Sequence, residues 1–222
     1  MRSPLAPVAA ALALAFAVLT PMAAQADERN PVLFVHGYSG NASNWDEMID
    51  DFVDDGWDRD RLYAITYDYN ASNVTTAELI ADEVDDILDE TGAEKVDIVA
   101  HSMGSLSSRW YVKFLGGTET VDNWVSLAGP NEGSWVELPC VQTAPGCAEV
   151  VRGSDFLDQL NGGDPTPGDV SYTTFRSFCD FIVLPSASVS ITGADNNSVG
   201  CVSHISFVSD NGVSDDVRDT LA

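Results

Sequence analysis

The sequence predicts an α/β fold: a mostly parallel central sheet of about six strands, flanked by helices and carrying two disulfides. Short apolar runs of strand length alternate with amphipathic segments of helical period, which is the pattern of strands connected by helices. One of these runs ends in a serine that a helical pattern follows directly. Four cysteines, an even number, lie in the second half of the 222 residues. Together these features favour a single crosslinked α/β domain.

The first part of the chain alternates strands and helices. The continuous apolar run Val32–Val35 is typical of a buried parallel strand and ends in a glycine-containing turn, residues 36–41. A helix with one apolar and one acidic face is expected over residues 44–56, and the second strand over residues 62–67. An amphipathic helix follows at residues 76–88, where Gly92 supplies a C-terminal cap.

The rest of the chain is less regular. The third strand, residues 96–100, leads into a helix that ends at Gly116, and residues 121–127 form the fourth strand. Residues 131–170 contain many glycines and prolines and only one short predicted helix, residues 154–160. The remaining predicted elements are a fifth strand at residues 172–178, a sixth at 189–192 and a closing helix at 215–221.

Residues 1–26 have the features of a secretory signal peptide. Arg2 gives a positive start, residues 8–19 form an unbroken apolar run, and residues 24–26 offer an A-x-A cleavage site. The run is shorter than the ~20 apolar residues that span a bilayer, which favours a signal peptide over a membrane anchor. We therefore expect a secreted protein with one domain, residues 27–222, and no membrane-spanning segment.

The predicted mature chain is strongly acidic, with 9 basic and 35 acidic residues and a formal net charge of −26. Such a field repels nucleic acid and anionic membranes, so both are excluded as partners. The acidic residues are best explained as keeping an exported protein soluble, and we expect a monomer. No D-x-D-x-D-G loop occurs, so no metal site is expected.

The four cysteines predict two disulfides in an exported protein. Three pairings are available. We favour Cys140–Cys147, which closes a short loop containing proline and glycine, and Cys179–Cys201, which closes a longer one. In the chain-entropy model the longer crosslink stabilises the fold by roughly 3 kcal/mol. No C-x-x-C spacing is present, which argues against zinc.

Residues 100–104, A-H-S-M-G, match the nucleophile elbow G-x-S-x-G with alanine at the first position. A tight strand-to-helix turn would expose the hydroxyl of Ser102, and the small residues Ala100 and Gly104 would let strand and helix approach closely. The helix also directs its free N–H groups at the turn, where a developing oxyanion can accept them. A serine that merely caps a helix is the alternative, but the order of strand, turn and helix favours a nucleophile.

A serine hydroxyl needs a neighbouring base, and the chain has three histidines. His101 precedes Ser102 and is expected to project away from it across the tight turn. His36 lies in the turn after the first strand, whose N–H groups could contribute to an oxyanion hole. The α/β-hydrolase arrangement requires the order serine, acid, histidine, and only His204 satisfies it.

The acid should lie between Ser102 and His204 at the carboxyl end of a strand. Asp180 follows the predicted fifth strand in an apolar stretch, where an aspartate without hydrogen bonds would be costly. Asp195, after the predicted sixth strand, is the competitor. We prefer Asp180 because of its position at the end of a strand, and a Cys179–Cys201 bond would also join its loop to that of His204. The remaining candidates fall in the region expected to be loop: Asp155, Asp158, Asp164 and Asp169.

These residues predict a catalytic sequence. His204 would remove the proton of Ser102 as the hydroxyl attacks an ester carbonyl, while Asp180 orients the imidazole. The oxyanion would be met by the backbone N–H groups of Met103, directly after the nucleophile, and of Tyr38 in the first loop. Water would then release the acyl group.

Four segments together resemble the small secreted bacterial lipases of the α/β-hydrolase superfamily: residues 32–40, 95–104, 177–183 and 202–205. The chain is similar to the compact lid-less Bacillus lipase and, more closely, to the disulfide-bearing Streptomyces-type extracellular lipases. The alanine in the elbow is a feature of the Bacillus type. The resemblance implies a compact α/β-hydrolase fold, the triad and oxyanion residues already named, and hydrolysis of carboxylic esters, including triacylglycerols, without a cofactor.

The sequence leaves three functions open. The first is a triacylglycerol lipase, and the second is an esterase for short-chain or polyester substrates that uses the same triad. The third, from a different class, is a non-catalytic secreted binding protein on a hydrolase fold. Fold alone does not set the substrate, so the choice depends on the site.

Overall fold

The computed structural model describes residues 29–136 and 139–222, so the predicted signal peptide lies outside the described residues. A six-stranded sheet forms the centre of the molecule. Its strands are β1 (Val32–Val35), β2 (Leu62–Ala64), β3 (Val96–His101), β4 (Val121–Leu127), β5 (Ser171–Arg176) and β6 (Asp195–Ser198).

The strand order is β2-β1-β3-β4-β5-β6, and every neighbouring pair is parallel. The predicted parallel α/β sheet of about six strands is therefore confirmed. The carboxyl ends of all six strands meet at one edge, where loops can bring distant residues together. The β4 bounds are those predicted, whereas β2 and β5 end earlier than predicted.

The predicted sixth strand is wrong. Ser186–Val189 forms a short 3₁₀ helix, and the edge strand is instead the polar segment β6. Val189 and Ile191 are buried, so their apolar character reflects core packing by a loop. The side chain of Asn196 supplies the hydrogen bonds that a partner strand would, since it accepts from the N–H of Ile191 and donates to its carbonyl, both at 2.9 Å.

Helices cover both faces of the sheet. They are α1 (Asp46–Asp54), α2 (Asn73–Thr91), α3 (Met103–Phe114), α4 (Gly117–Thr120), α5 (Pro145–Glu149), α6 (Asp155–Asn161) and α7 (Asn211–Leu221). The described part of the chain contains no helix with both the length and the apolarity to cross a bilayer.

Alternation along the strands divides the core into two layers. Phe34, Val99 and Val125 face one way and pack against apolar residues of α1 and α7. Their sequence neighbours Ile98 and Trp124 face the other way and pack against α2 and α3. The periodic apolar residues of the sequence therefore serve a three-layer arrangement that holds the sheet rigid.

The segment between β4 and β5 contains short helices. A 3₁₀ helix, Pro139–Gln142, precedes α5, and the predicted helix at residues 154–160 is present as α6, capped by Ser154. Phe156, Leu157 and Leu160 of α6 form an apolar cluster with Met103 and Leu106 of α3. This cluster fixes the segment against the helix that follows Ser102.

The predicted two disulfides are present. Cys140 is bonded to Cys147 and Cys179 to Cys201, the pairs favoured from the sequence. The first bond lies in a small apolar cluster against which Tyr38 packs. The second joins the loop after β5 to the loop after β6. Both crosslinks therefore stabilise loops at the carboxyl edge of the sheet.

Candidate active site

Four loops at the carboxyl edge of the sheet carry the predicted site residues. Tyr38 lies in the turn after β1, Ser102 follows β3, Asp180 follows β5, and His204 begins a 3₁₀ helix after β6. Because β1, β3, β4, β5 and β6 are consecutive neighbours in the sheet, these loops are adjacent in space although the residues span more than 160 positions.

The turn at Ser102 has the backbone of a strained elbow. Ser102 has φ 53° and ψ −126°, a conformation that costs free energy for a residue with a side chain. Its N–H donates to the carbonyl of Leu127 at 2.9 Å, which anchors the turn to β4. A Cβ at Gly104 would lie 2.7 Å from the carbonyl oxygen of Val35 and closer still to that of His36. Only glycine lets α3 begin this near β1.

The structure brings Ser102, His204 and Asp180 together. The Nε2 atom of His204 lies 2.8 Å from Oγ of Ser102, and its Nδ1 atom lies 2.8 Å from Oδ2 of Asp180. A carboxylate only accepts, so Nδ1 carries the proton and Nε2 is free to accept from the serine hydroxyl. His204 and Asp180 are both buried. The histidine is thus in the tautomer that a general base needs.

Asp180 is held as a carboxylate. Burial alone would raise its pKa, but the hydrogen bond and charge of His204, with the N–H groups of Val183 and Ile182, outweigh burial and bring the pKa below its ordinary value. Those N–H groups donate to Oδ1 at 3.0 and 2.8 Å, leaving Oδ2 for His204. The aspartate is therefore ionised at neutral pH and fixed in orientation.

The competing aspartates lie elsewhere. Asp195 is exposed and begins β6, so it lies at the amino end of that strand. The four aspartates of the segment between β4 and β5 are also exposed: Asp155, Asp158, Asp164 and Asp169. Of the aspartates weighed from the sequence, the structure places Asp180 against His204.

Ser177 is a site-supporting residue that sequence reasoning missed. Its hydroxyl donates to the carbonyl of Gly200 at 3.0 Å and accepts from the N–H groups of Cys179 and Val202, at 3.0 and 2.9 Å. It therefore joins the same two loops as the Cys179–Cys201 disulfide. A serine among many in a loop gives no sequence signal for this role.

Tyr38 and Met103 border the same narrow cleft as Ser102. Met103 is the first residue of α3, so its N–H has no partner one turn earlier within the helix. The turn that carries Tyr38 is supported by His36, whose Nε2 accepts from the N–H of Tyr67 at 3.3 Å and whose ring stacks on that tyrosine. The opposite wall of the cleft is apolar apart from one serine: Pro130, Ser134, Val136, Val150, Ile182 and Val183.

His101 does more than the sequence suggested. Its side chain reaches the backbone of His204, where Nε2 lies 2.8 Å from the carbonyl oxygen. The two imidazole rings are 4.9 Å apart between centroids. No sequence signal predicts this contact, because it joins residues 103 positions apart.

Large apolar side chains are exposed beside the triad. Each is close in sequence, within two positions, to a triad residue, to a cysteine of the second disulfide or to a residue that lines the cleft. All four are at least 68% exposed: Trp135, Phe178, Phe181 and Ile205. In the sequence, residues 177–208 contain two acidic side chains, Asp180 and Asp195, and neither lysine nor arginine. This stretch therefore exposes large apolar side chains and carries little charge, in contrast to the acidic chain as a whole.

The described residues contain no group of three or more histidine, cysteine, aspartate or glutamate side chains arranged to hold a metal ion. The arrangement can instead perform acid–base and nucleophilic chemistry. A serine hydroxyl faces a neutral imidazole, a carboxylate orients that imidazole, and a helix N-terminus lies beside the serine.

Comparison with known proteins gives a consistent result. The sequence profile of the family described as Lipase (class 2) matches residues 29–222. The mature form of Bacillus licheniformis lipase BlEst2 superposes with a TM-score of 0.76 at 17% identity, over 87% of this chain and 92% of that one. Aspergillus fumigatus lipase B gives a TM-score of 0.68 at 18% identity, over 81% of this chain and 49% of that one.

The same fold also occurs in a protein that is described by a different activity. A putative non-heme bromoperoxidase, BpoC from Mycobacterium tuberculosis, gives a TM-score of 0.62 at 13% identity, over 86% of this chain and 91% of that one. At these identities the structural likenesses show the fold alone, and the chemistry must be argued from the family and the site.

Proposed function

The chain belongs to the class 2 lipase family, and from that premise we propose that it is a secreted serine hydrolase of carboxylic esters, most specifically a triacylglycerol lipase. One observation carries the proposal: two hydrogen bonds of 2.8 Å connect Ser102 to His204 and His204 to Asp180. A triad in this order on this fold is the arrangement of an acyl-transfer enzyme.

The geometry supports a two-step reaction. His204 takes the proton of Ser102 while Oγ attacks the ester carbonyl, and the imidazolium that forms is stabilised by Asp180. The backbone N–H groups of Met103 and Tyr38 would stabilise the oxyanion. The intermediate then expels the alcohol, which receives the proton from His204. In the second step His204 activates a water molecule, which releases the acyl group from Ser102.

The surroundings of the cleft favour a lipase over an esterase for soluble substrates. Phe181 and Ile205, next to the acid and the base, are 73% and 77% exposed. Contact of such apolar side chains with a lipid aggregate is more favourable in free energy than their contact with water. Hydrolysis of short-chain or polymeric esters is the second candidate, because it would use the same triad.

Secretion is part of the proposal. Two disulfides among the described residues favour an oxidising compartment, and residues 1–26 have the composition of a signal peptide. We also propose that the protein acts as a monomer on neutral ester substrates, because its net charge disfavours both self-association and anionic partners. A purely binding role would leave the strained elbow at Ser102 and its complete hydrogen-bond chain unexplained.

The test is hydrolysis of p-nitrophenyl esters of increasing acyl length by residues 27–222, beside emulsified triacylglycerol. Ser102→Ala is the matched control, since it removes one oxygen and leaves the turn intact. We expect the variant to lose activity by a factor of about 10⁴ or more with a nearly unchanged unfolding midpoint. Turnover of soluble esters without turnover of emulsions would favour the esterase, and no turnover of any ester would favour the binding protein.

A further inference from the structure

His101 lies at the end of β3, directly before Ser102, and its ring packs against the ring of His204. It is buried, with 9% of its surface exposed. The backbone carbonyl of His204 lies 2.8 Å from its Nε2 atom. Because residue 101 is fixed by strand pairing with Leu127, this hydrogen bond connects the rigid sheet to the loop that carries His204.

The contact determines which ring nitrogen carries the proton. A carbonyl oxygen accepts only, so Nε2 of His101 must donate. In the neutral ring Nδ1 is then the bare nitrogen, and it faces the turn after β1, where a Cβ at Gly37 would lie 3.3 Å from it. His101 therefore spans from the turn that carries Tyr38 to the backbone of His204.

His101 stays neutral in this position. Burial is the largest cause that lowers its pKa, and the adjacent charge of His204 is the next; the resulting pKa is about 3. The hydrogen bond to the carbonyl of His204 and the charge of Asp180 raise the pKa, and the charge of His36 lowers it. A neutral neighbour matters, because a positive charge 4.9 Å from His204 would oppose the imidazolium that forms during acylation.

We propose that His101 is a positioning residue for the base: its Nε2–H···O=C hydrogen bond to His204 fixes the backbone from which the imidazole reaches Ser102. The inference rests on the proposed function, because a base needs positioning only in a catalytic site. The role follows from geometry. Nε2 of His204 must remain within hydrogen-bond distance of Oγ of Ser102, and small displacements of reacting groups reduce turnover strongly.

Two substitutions separate positioning from packing. His101→Phe keeps an aromatic ring of similar size but has no donor. His101→Gln places an amide N–H near the position of Nε2 and keeps the donor. We expect His101→Phe to lower kcat on a soluble p-nitrophenyl ester by roughly tenfold or more, with KM within about twofold of wild type. His101→Gln should restore most of kcat.

Imidazole NMR gives a readout independent of turnover. The chain has three histidines, so ¹⁵N-histidine labelling yields three ring systems that the variants assign. In wild type the Nδ1 proton of His204, shared with Asp180, should be strongly deshielded and slow to exchange. His101→Phe should shift or broaden that signal, and His101→Gln should keep it, while the unfolding midpoint reports any loss of packing separately.

The outcomes distinguish the hypotheses. Wild-type kcat and an unchanged His204 signal in His101→Phe would overturn the positioning role. Equal losses in both variants would also overturn it, since packing alone would then explain them. If the wild-type protein hydrolysed no ester, the proposed function would fail, but the signal of His204 would still show whether His101 orders the imidazole.

Discussion

The serine side and the acid–base side of the candidate site are held by different kinds of structure. On the serine side, Ser102 and Met103 lie in a tight turn between a central strand and a helix, where backbone packs on backbone around Gly104. On the acid–base side, Asp180 and His204 lie in loops that follow the last two strands of the chain, β5 and β6. Those loops are fixed by a disulfide and by side-chain hydrogen bonds.

The difference shows two ways in which a fold can hold a candidate catalytic side chain in place. A short sequence motif is enough to predict the serine side, because the strand, the turn and the helix that form it are consecutive in the sequence. The acid–base side depends on links between residues more than 20 positions apart, such as Cys179–Cys201 and Ser177–Gly200. Substitutions on the two sides should therefore fail in different ways.

The largest expected effect concerns the acid. Asp180→Ala removes the acceptor that holds Nδ1 of His204 and should lower kcat/KM for a p-nitrophenyl ester by a factor of about 10⁴. Asp195→Ala is the matched control, because that carboxylate is exposed at the start of β6. Equal losses in the two variants would refute the assignment of the acid.

Next in size is the backbone of the serine side. Gly104→Ala would place a Cβ against the carbonyl groups of Val35 and His36, so we expect a loss of about 3 kcal/mol in unfolding free energy, together with lost activity. Gly200→Ala is the control, since nothing lies within 4 Å of a Cβ there. Urea titration of both proteins measures the difference. A Gly104→Ala protein of wild-type stability would contradict the close approach of α3 to β1.

The crosslink of the acid–base side should matter about as much for stability and less for activity. Replacing Cys179 and Cys201 together by serine should cost roughly 3 kcal/mol of unfolding free energy, because it frees a loop of 22 residues in the unfolded chain. The same change at Cys140 and Cys147, which close only 7 residues, should cost about 2 kcal/mol. Activity at low temperature should fall more when Cys179 and Cys201 are replaced than when the other pair is replaced. An equal fall would show that the Cys179–Cys201 crosslink does not position Asp180 and His204.

A smaller effect depends on pH, because the pKa values of Asp97, near the amino end of β3, and of Asp180 are shifted in opposite directions. Burial raises the pKa of Asp97 in β3 to about 6, although Asn123 and Asn30 donate hydrogen bonds to it. The folded state favours the protonated carboxyl of Asp97. This contribution to stability is complete below the unfolded-chain pKa of 3.8 and is lost as pH rises through about 6. Asp180 behaves oppositely, because its lowered pKa gives stability that is lost as pH falls below 4.

Asp97→Asn tests this sign. Between pH 4 and pH 7, the unfolding free energy of wild type should decrease by about 2 kcal/mol more than that of the variant. Parallel curves for the two proteins, measured by urea titration at each pH, would show that Asp97 does not titrate in this range. Asp122→Asn, a change in a more exposed neighbour, serves as the control.

The sequence predicted the serine side better than the acid–base side. The elbow and β4 are as expected, since a buried strand and a tight turn leave local apolar and glycine patterns. The sixth strand was missed, because an edge strand with polar residues such as Asn196 and Asn197 needs no apolar run. The contact of His101 with His204 and the bridging hydroxyl of Ser177 leave no local pattern, because each depends on how separate loops meet.

The strand order also affects how the protein is made. From β3 onward the strands join the sheet in the order of the sequence, and the loop of His204 follows the last of them. His204 lies 102 residues beyond Ser102, so a ribosome releases the nucleophile turn long before the base. Ser102 would therefore gain its base only when the loops after β5 and β6 have reached their places beside the turn.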